Sequence, residues 1–295
     1  MHLRLPATSA NLGPGFDSLA LALKLYLHVD AYLSERITVD ATGRNAAICG
    51  ALENNLLLDT YRSLLASQKR EFVPLRLEVR NEIPLGMGLG LSAAVRLAAV
   101  VLASHFGGLG WTGDRILNEA SRLEGHPDNA CASCLGGLVA SAFDGEEVRA
   151  VSITPSGNWR AVIVMPDQPL ATGASRGMLP ATYAREDVVA NLQRVALLTA
   201  AFATGRTDVI ATAMADRLHQ PFRAEACPLL RKLLPLAGTA GIAGVALSGA
   251  GPAVLLLTIS EESAWKARNM AIRELQGAGK IELLTCELES QAIAF

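Results

Sequence analysis

The sequence is poor in the side chains that grip nucleic acid. Three tryptophans and four tyrosines in 295 residues offer few platforms for stacked bases. A net charge of −2, with acids and bases interspersed, leaves no basic field for a phosphate backbone. A disulfide framework is missing too. Five cysteines (Cys49, Cys131, Cys134, Cys227, Cys286) are an odd number in a long chain with no legible signal peptide, so free thiols in a reducing cytoplasm are expected. Cys131 and Cys134 form a C-x-x-C, but no second pair stands at zinc-ligand spacing, and the two read as small core residues on one helix face. Leu233 to Ser260 carries no charge and is long enough on length alone to span a membrane. Pro235, Gly238, Gly241, Gly244, Gly249, Gly251 and Pro252 break it into pieces better read as buried strands and turns, so no membrane segment is expected. What remains is a chain above the usual single-domain size, either two domains or one large α/β unit, with a small molecule as partner.

What the sequence does have is glycine in one telling place. Pro84 to Ala94 reads P-L-G-M-G-L-G-L-S-A-A, after an alternating strand-like run (Leu75, Leu77, Val79) and before an apolar segment from Ala93 to Phe106. Glycines reach positive φ and let bound groups approach the main chain, and the start of the following helix offers unpaired N–H groups at its positive end. Such a loop suits phosphate. It has neither G-K-[ST] nor G-x-G-x-x-G spacing, and on the glycines alone a left-handed turn before a core helix is an equal reading.

Other polar clusters interrupt the apolar pattern. His2 to Pro6 alternates like a strand and leads into A-T-S-A-N-L-G-P-G-F-D (Ala7 to Asp17), read as a tight polar loop. Asn55 is placed to cap a helix beginning at Leu56, and Thr112 one carrying Ile116, Leu117, Ala120 and Leu123. That helix ends in L-E-G-H-P-D-N (Leu123 to Asn129), where Pro127 and Asp128 suit the first turn of another. Strands are expected at 138–143, 148–153 and 161–165, with the best domain boundary between 145 and 158. Val188, Leu192, Val195, Leu198 and Phe202 then recur at helical spacing, with Arg176 and Arg223 in loops around that helix. V-A-L-S-G-A-G-P (Val245 to Pro252) forms a second glycine turn between apolar strands, and a helix over 262–276 and a strand over 281–287 close the chain.

Taken together, Pro6 to Asp17, Pro84 to Ala94 and Ser248 to Pro252 resemble, in order and over nearly the whole chain, the three motifs of the GHMP kinase superfamily. E-G-H-P-D-N, D-R-L-H-Q-P-F-R (Asp216 to Arg223) and the segment around Arg176 bring the likeness closest to the homoserine kinase family. The resemblance implies an α+β two-domain GHMP kinase fold: an N-terminal domain like ribosomal protein S5 domain 2 over residues 1–157, and a C-terminal ferredoxin-like domain over 158–295. It implies ATP and Mg²⁺ as cofactors, and transfer of the γ-phosphate to the side-chain hydroxyl of L-homoserine on the route to threonine. A cytoplasmic homodimer follows from the same likeness.

Residue by residue, the resemblance places Pro84, Gly86, Gly88, Leu89, Gly90, Ser92, Ala93 and Ala94 on the nucleotide. Ser92 and Glu124 match the positions that hold the metal. Arg176 and Arg223 match those that hold the substrate carboxylate, a task arginine performs with paired charge-assisted hydrogen bonds. Asp17 and Asn11 offer acceptors for its ammonium group, with Gly249 also at the substrate and His126 near it or structural. Asp128 and Asn129 are assigned to orienting the reacting groups. Three positions depart from the family pattern: Met87 and Leu91 stand where the loop usually has serine, and Ala20 where glycine is usual. Two alternatives therefore stay open, a GHMP kinase for another small alcohol such as mevalonate, and a nucleotide- or metabolite-binding homologue impaired by Met87 and Leu91.

Overall fold

The computed structural model describes residues 1–170 and 172–294. Alternating and continuous apolar runs along the chain become two sheets. The first has six strands, β1 (His2–Asn11), β2 (Gly15–Leu33), β3 (Thr38–Gly43), β4 (Leu75–Asn81), β5 (Leu138–Asp144) and β6 (Glu147–Ile153), ordered β3-β4-β2-β5-β6 with β1 paired to β2. Only the β3–β4 pair is parallel. β4 shows why one face is solvated: Leu75, Leu77 and Val79 point inward while Arg76, Glu78 and Arg80 point out.

Four helices, Leu56–Ser67, Leu91–Phe106, Gly113–Glu124 and Asp128–Leu135, pack against one another and, through the last three, against the sheet. Leu91–Phe106 is apolar nearly all round because it lies inside the domain, with Ala93, Ala94, Leu97 and Ala98 fully buried. Asn55 caps the first helix by accepting from the N–H of Leu57 at 3.0 Å, and Thr112 caps the third by accepting from Arg115 at 3.3 Å. Cys131 and Cys134 are buried in the fourth helix, and all five cysteines are free thiols.

The second sheet contains β7 (Arg160–Pro166), β8 (Ile242–Leu247), β9 (Val254–Thr258) and β10 (Ile281–Glu287) in the order β10-β7-β9-β8, antiparallel throughout. With helices Arg185–Thr204 and Glu261–Glu274 in its connections, this is the β-α-β-β-α-β order of a ferredoxin-like unit. Alternate residues of β7 explain its unbroken apolar run. Ala161, Ile163 and Met165 join the core shared with the first sheet, whereas Val162 and Val164 join a second core with Leu230, Leu233 and Ala267. Among the described residues no helix is long and apolar enough to cross a membrane, and Leu233 to Ser260 resolves into short pieces.

Two local expectations need correction. Ala7 to Asp17 is a hairpin rather than a loop: Thr8, Ser9 and Ala10 pair with Ala22, Leu21 and Ala20, and the chain turns only between Asn11 and Gly15. The polar side chains of Thr8 and Ser9 mislead because they are buried under other turns. Arg176 and Arg223 stand at the ends of short helices, Thr172–Arg176 and Gln220–Arg223, rather than in loops.

The Asn55 cap is tied further, since its amide also donates to the carbonyls of Cys49 and Ala51. Asn55→Ala should lower the unfolding free energy by about 1–2 kcal/mol, read as a lower midpoint in urea with an unchanged slope.

Candidate active site

The phosphate-type loop is shaped by main-chain contact on every side. Gly86, Gly88 and Gly90 have φ of 71°, 77° and 70°, and the helix begins at Leu91 with its first N–H groups facing the loop. Leu89 O accepts from Thr8 N at 3.1 Å, Gly86 O from Leu170 N at 3.1 Å, and Gly88 O from Ser248 Oγ at 2.8 Å. Ser248 Oγ lies 2.9 Å from Ser9 Oγ, and Asn11 Nδ2 donates to Gly249 O at 2.9 Å. The N-terminal hairpin, the central loop and the S-G-A-G-P turn thus form one surface. A Cβ at Gly88 would run into the carbonyl oxygens of Ser248 and Gly251.

That surface floors a cavity of about 370 Å³. One end is apolar, with Val39, Ile48, Leu56, Leu57 and Val79 beside Pro84 and Leu85; the other is ionic, with Asp17, Glu124, His126, Asp128, Arg176 and Arg223. Gly86, Gly88, Leu89, Gly90 and Ser92 also line the cavity. Ala93 and Ala94 do not line the cavity: their side chains are fully buried in the core, so only their main chain faces toward the loop's end of the helix. Leu91 is 6 % exposed and packs into the core at the cavity edge. Met87 is half-buried against the same core.

At the ionic end, Ser92 Oγ donates to Glu124 Oε2 at 3.0 Å. The same oxygen lies 2.9 Å from Arg96 Nε, and Arg96 Nη1 donates to Leu123 O at 2.5 Å. Arg96 was not singled out in the sequence, although its spacing of four from Ser92 puts both on one helix face. Asp128 is 1 % exposed; its Oδ1 accepts from His126 Nδ1 at 2.6 Å and from the main-chain and amide nitrogens of Asn129. Asn129 Oδ1 accepts from Thr8 Oγ1 at 2.6 Å. Burial pulls the His126 imidazole down, but the Asp128 carboxylate, with Asp17 and Glu124 nearby, outweighs it and holds the pKa above the ordinary histidine value. Asp17, His126 and Asp128 bring potential ligand atoms within 4.8 Å of one another.

Asp17 pairs with Arg176, whose Nη2 donates to the two carboxylate oxygens at 2.7 and 2.9 Å. Asn11 is engaged by main chain, its Oδ1 accepting from Asp17 N at 3.1 Å while its amide holds Gly249. Asn11, Leu12 and Asp17 all sit at positive φ (70°, 48° and 53°), the kind of backbone strain that a surrounding network must hold in place. Arg223 is 2 % exposed and, among the described residues, has no carboxylate at salt-bridge distance. Its partners are the carbonyls of Ser175 and Gly249, both at 3.4 Å, and the ring of His219 at 3.1 Å. Burial and the neighbouring Arg176 charge lower its pKa. Phe16, unremarked in the sequence, lies under the guanidinium groups of Arg176 and Arg223 at 5.6 and 5.4 Å from its ring centre.

Comparison with known proteins bears on the family and the fold. Residues 55–137 match the family described as GHMP kinases N terminal domain, and residues 198–276 match GHMP kinases C terminal. The chain is 48% identical over 256 residues to a homoserine kinase of Solibacter usitatus, covering 86% of this chain and 84% of that one. It is 42% identical over 257 residues to a homoserine kinase of Moorella thermoacetica, covering 86% of each. The crystal structure of homoserine kinase from Cytophaga hutchinsonii superposes with a TM-score of 0.82 at 25% identity, over 100% of this chain and 96% of that one.

Gly88→Ala tests the floor of the cavity. A left-handed L-residue costs roughly 1–2 kcal/mol by itself, and the carbonyl clash forces the turns apart. Thermal unfolding should move to lower temperature and turnover should fall by about tenfold or more, since small misplacements at a site are amplified in rate.

Proposed function

This chain belongs to the homoserine kinase family of the GHMP kinases, and on that premise we propose how its cavity carries out ATP-dependent phosphorylation of the L-homoserine hydroxyl. The observation that carries the reading is Arg223, a buried cation without a carboxylate that opens on the same cavity as the glycine loop. A buried unpaired charge is costly, and an incoming carboxylate relieves that cost. Arg176 lies close by, over the same Phe16 ring and already paired with Asp17. A zwitterionic amino acid can exchange this ion pair for two of its own, presenting its carboxylate to Arg223 and Arg176 and its ammonium group to Asp17. A substrate with only one charged end leaves one partner of the broken pair bare, so the site favours an amino acid over a simple alcohol acid.

The residues present fit a nucleotide. The free N–H groups at the start of Leu91–Phe106 and the glycine main chain suit the phosphates, and the apolar lobe from Val39 to Val79 suits a base. Ser92 and Glu124 supply adjacent oxygens for Mg²⁺, of the hard type that cation takes. Bound there, it supplies neutralisation of phosphate charge. Phosphoryl transfer then depends mainly on positioning and electrostatics. Asp128 has three donors on Oδ1, which fixes its orientation and, among the described residues, leaves Oδ2 without a protein donor to meet the acceptor hydroxyl. Asn129 ties that carboxylate to Thr8 and the loop. Leu91, packed into the core, leaves the loop main chain in its phosphate-binding form, and nothing in the geometry favours an impaired homologue. We place the domain boundary between residues 157 and 158, in the connection from β6 to β7. Free thiols suit a reducing cytoplasm, and a homodimer is proposed on family likeness alone.

ADP release from MgATP, measured with L-homoserine, L-serine, mevalonate or no acceptor, tests the substrate. Only homoserine should give rapid release; faster turnover of mevalonate would overturn the assignment. Glu124→Gln removes a full charge next to Ser92. At ordinary Mg²⁺ concentrations kcat/KM should fall by about a hundredfold, the scale of losing one electrostatic contact to the transition state. Raised Mg²⁺ should recover part of it.

A further inference from the structure

The D-R-L-H-Q-P-F-R segment contains more than an arginine. His219 is fully buried and forms part of a chain of contacts that ends at Arg223. Its Nδ1 lies 3.1 Å from Arg223 Nη1 and its Nε2 lies 2.8 Å from Gly13 O. A guanidinium can only donate and a carbonyl can only accept. The two contacts are therefore satisfied together by one form of the ring, neutral imidazole with its proton on Nε2. Burial and the Arg223 charge both disfavour the imidazolium, and Asp216, whose Oδ2 is 3.5 Å from Nε2, does not reverse this.

The ring is held from every side. Asp216 accepts from the main-chain N–H groups of Leu218, His219 and Gln220 at 2.9, 2.9 and 2.6 Å and from Asn191 Nδ2 at 2.7 Å. Phe16 stacks on the imidazole, with ring centres 5.4 Å apart and planes at 29°. Phe16 also lies under both arginines. Among the described residues Arg223 otherwise has two long contacts to carbonyls, so the imidazole nitrogen is its shortest hydrogen-bond partner there.

We infer that His219 is a positioning residue for the substrate carboxylate: its neutral ring accepts from Arg223 and donates to Gly13, locking the guanidinium to the hairpin that carries Asp17. It touches neither substrate nor nucleotide. Its effect is to fix the separation between the groups that receive the two charged ends of the amino acid. This inference rests on Arg223 receiving that carboxylate.

The two halves of the ring can be replaced separately. An asparagine amide oxygen can take the place of Nδ1, facing Arg223, whereas a glutamine amide nitrogen can take the place of Nε2, facing Gly13. His219→Asn, His219→Gln and His219→Leu should be compared with Arg223→Ala and with the double variants, using steady-state kinetics for each substrate and calorimetric titration of the nucleotide. His219→Gln and His219→Leu should raise the KM for homoserine by about tenfold, the scale of one hydrogen bond to a charged group. The KM for ATP and kcat should change by less than about threefold, and His219→Asn should restore most of the homoserine affinity. In the Arg223→Ala background the His219 substitutions should add little, because the two positions act as one unit. A glutamine variant better than the asparagine variant, or additive losses in the double variants, would show that the ring merely supports the hairpin and would overturn the inference. If Arg223→Ala leaves homoserine KM unchanged, the carboxylate assignment itself fails, a separate result. Nucleotide titration identifies any variant that has not folded; should His219→Leu be one, the asparagine–glutamine contrast still decides.

Discussion

Three turns of main chain meet at Gly88, and the rest of the site is built on how closely they approach. Ser248 reaches Gly88 O, Thr8 N reaches Leu89 O, and Asn11 reaches Gly249 O. These groups are buried, so each must be satisfied within the protein. The result fixes three segments from distant parts of the chain, and both sheets with them, into one floor. Side chains at residue 88 are excluded by the carbonyls opposite. The glycine is required by packing as well as by its φ of 77°.

Charged side chains gather on this floor in two groups. The end below Ser92 carries the carboxylates of Glu124 and Asp128, each with one oxygen engaged by protein donors. Elsewhere on the lining, Arg176 and Arg223 lie over Phe16, with Asp17 paired to Arg176. Arg96 adds a cation behind Glu124, sharing the oxygen that Ser92 bonds. It anchors the end of Gly113–Glu124 to the helix of the phosphate loop, and a positive group at a helix C-terminus also meets the helix dipole favourably. The backbone strain at Asn11, Leu12 and Asp17 falls in the same small region. It is held there by the Asn11 side chain, which bonds its own hairpin on one side and the second glycine turn on the other.

Local signals in the sequence were read well where the physics is local. Asn55 and Thr112 cap helices because a short side-chain acceptor reaches an N–H two or three residues on, whatever the tertiary fold. The continuous apolar runs of β7 and β9 announce strands buried on both faces. The same local reading failed at Thr8 and Ser9, which looked like loop residues. Their hydroxyls bond the side chains of Asn129 and Ser248, contacts made across more than a hundred residues. Ala93 and Ala94, assigned to the nucleotide by motif matching, have their side chains buried in the core, which leaves that assignment to their main chain.

The sequence by itself determined the order of elements, the glycine loop before a buried helix, the five unpaired thiols and, through several agreeing motifs, membership of a kinase family. These depend on residue type and spacing, which the chain displays directly. Only the tertiary structure decided that Arg223 is buried with no carboxylate at salt-bridge distance among the described residues, that Asp17 pairs with Arg176 at a separation of 159 residues, and that Phe16 lies against both arginines while His219 contacts Arg223. Burial and charge pairing are properties of neighbours brought together by packing two sheets, and no periodicity along the chain records them.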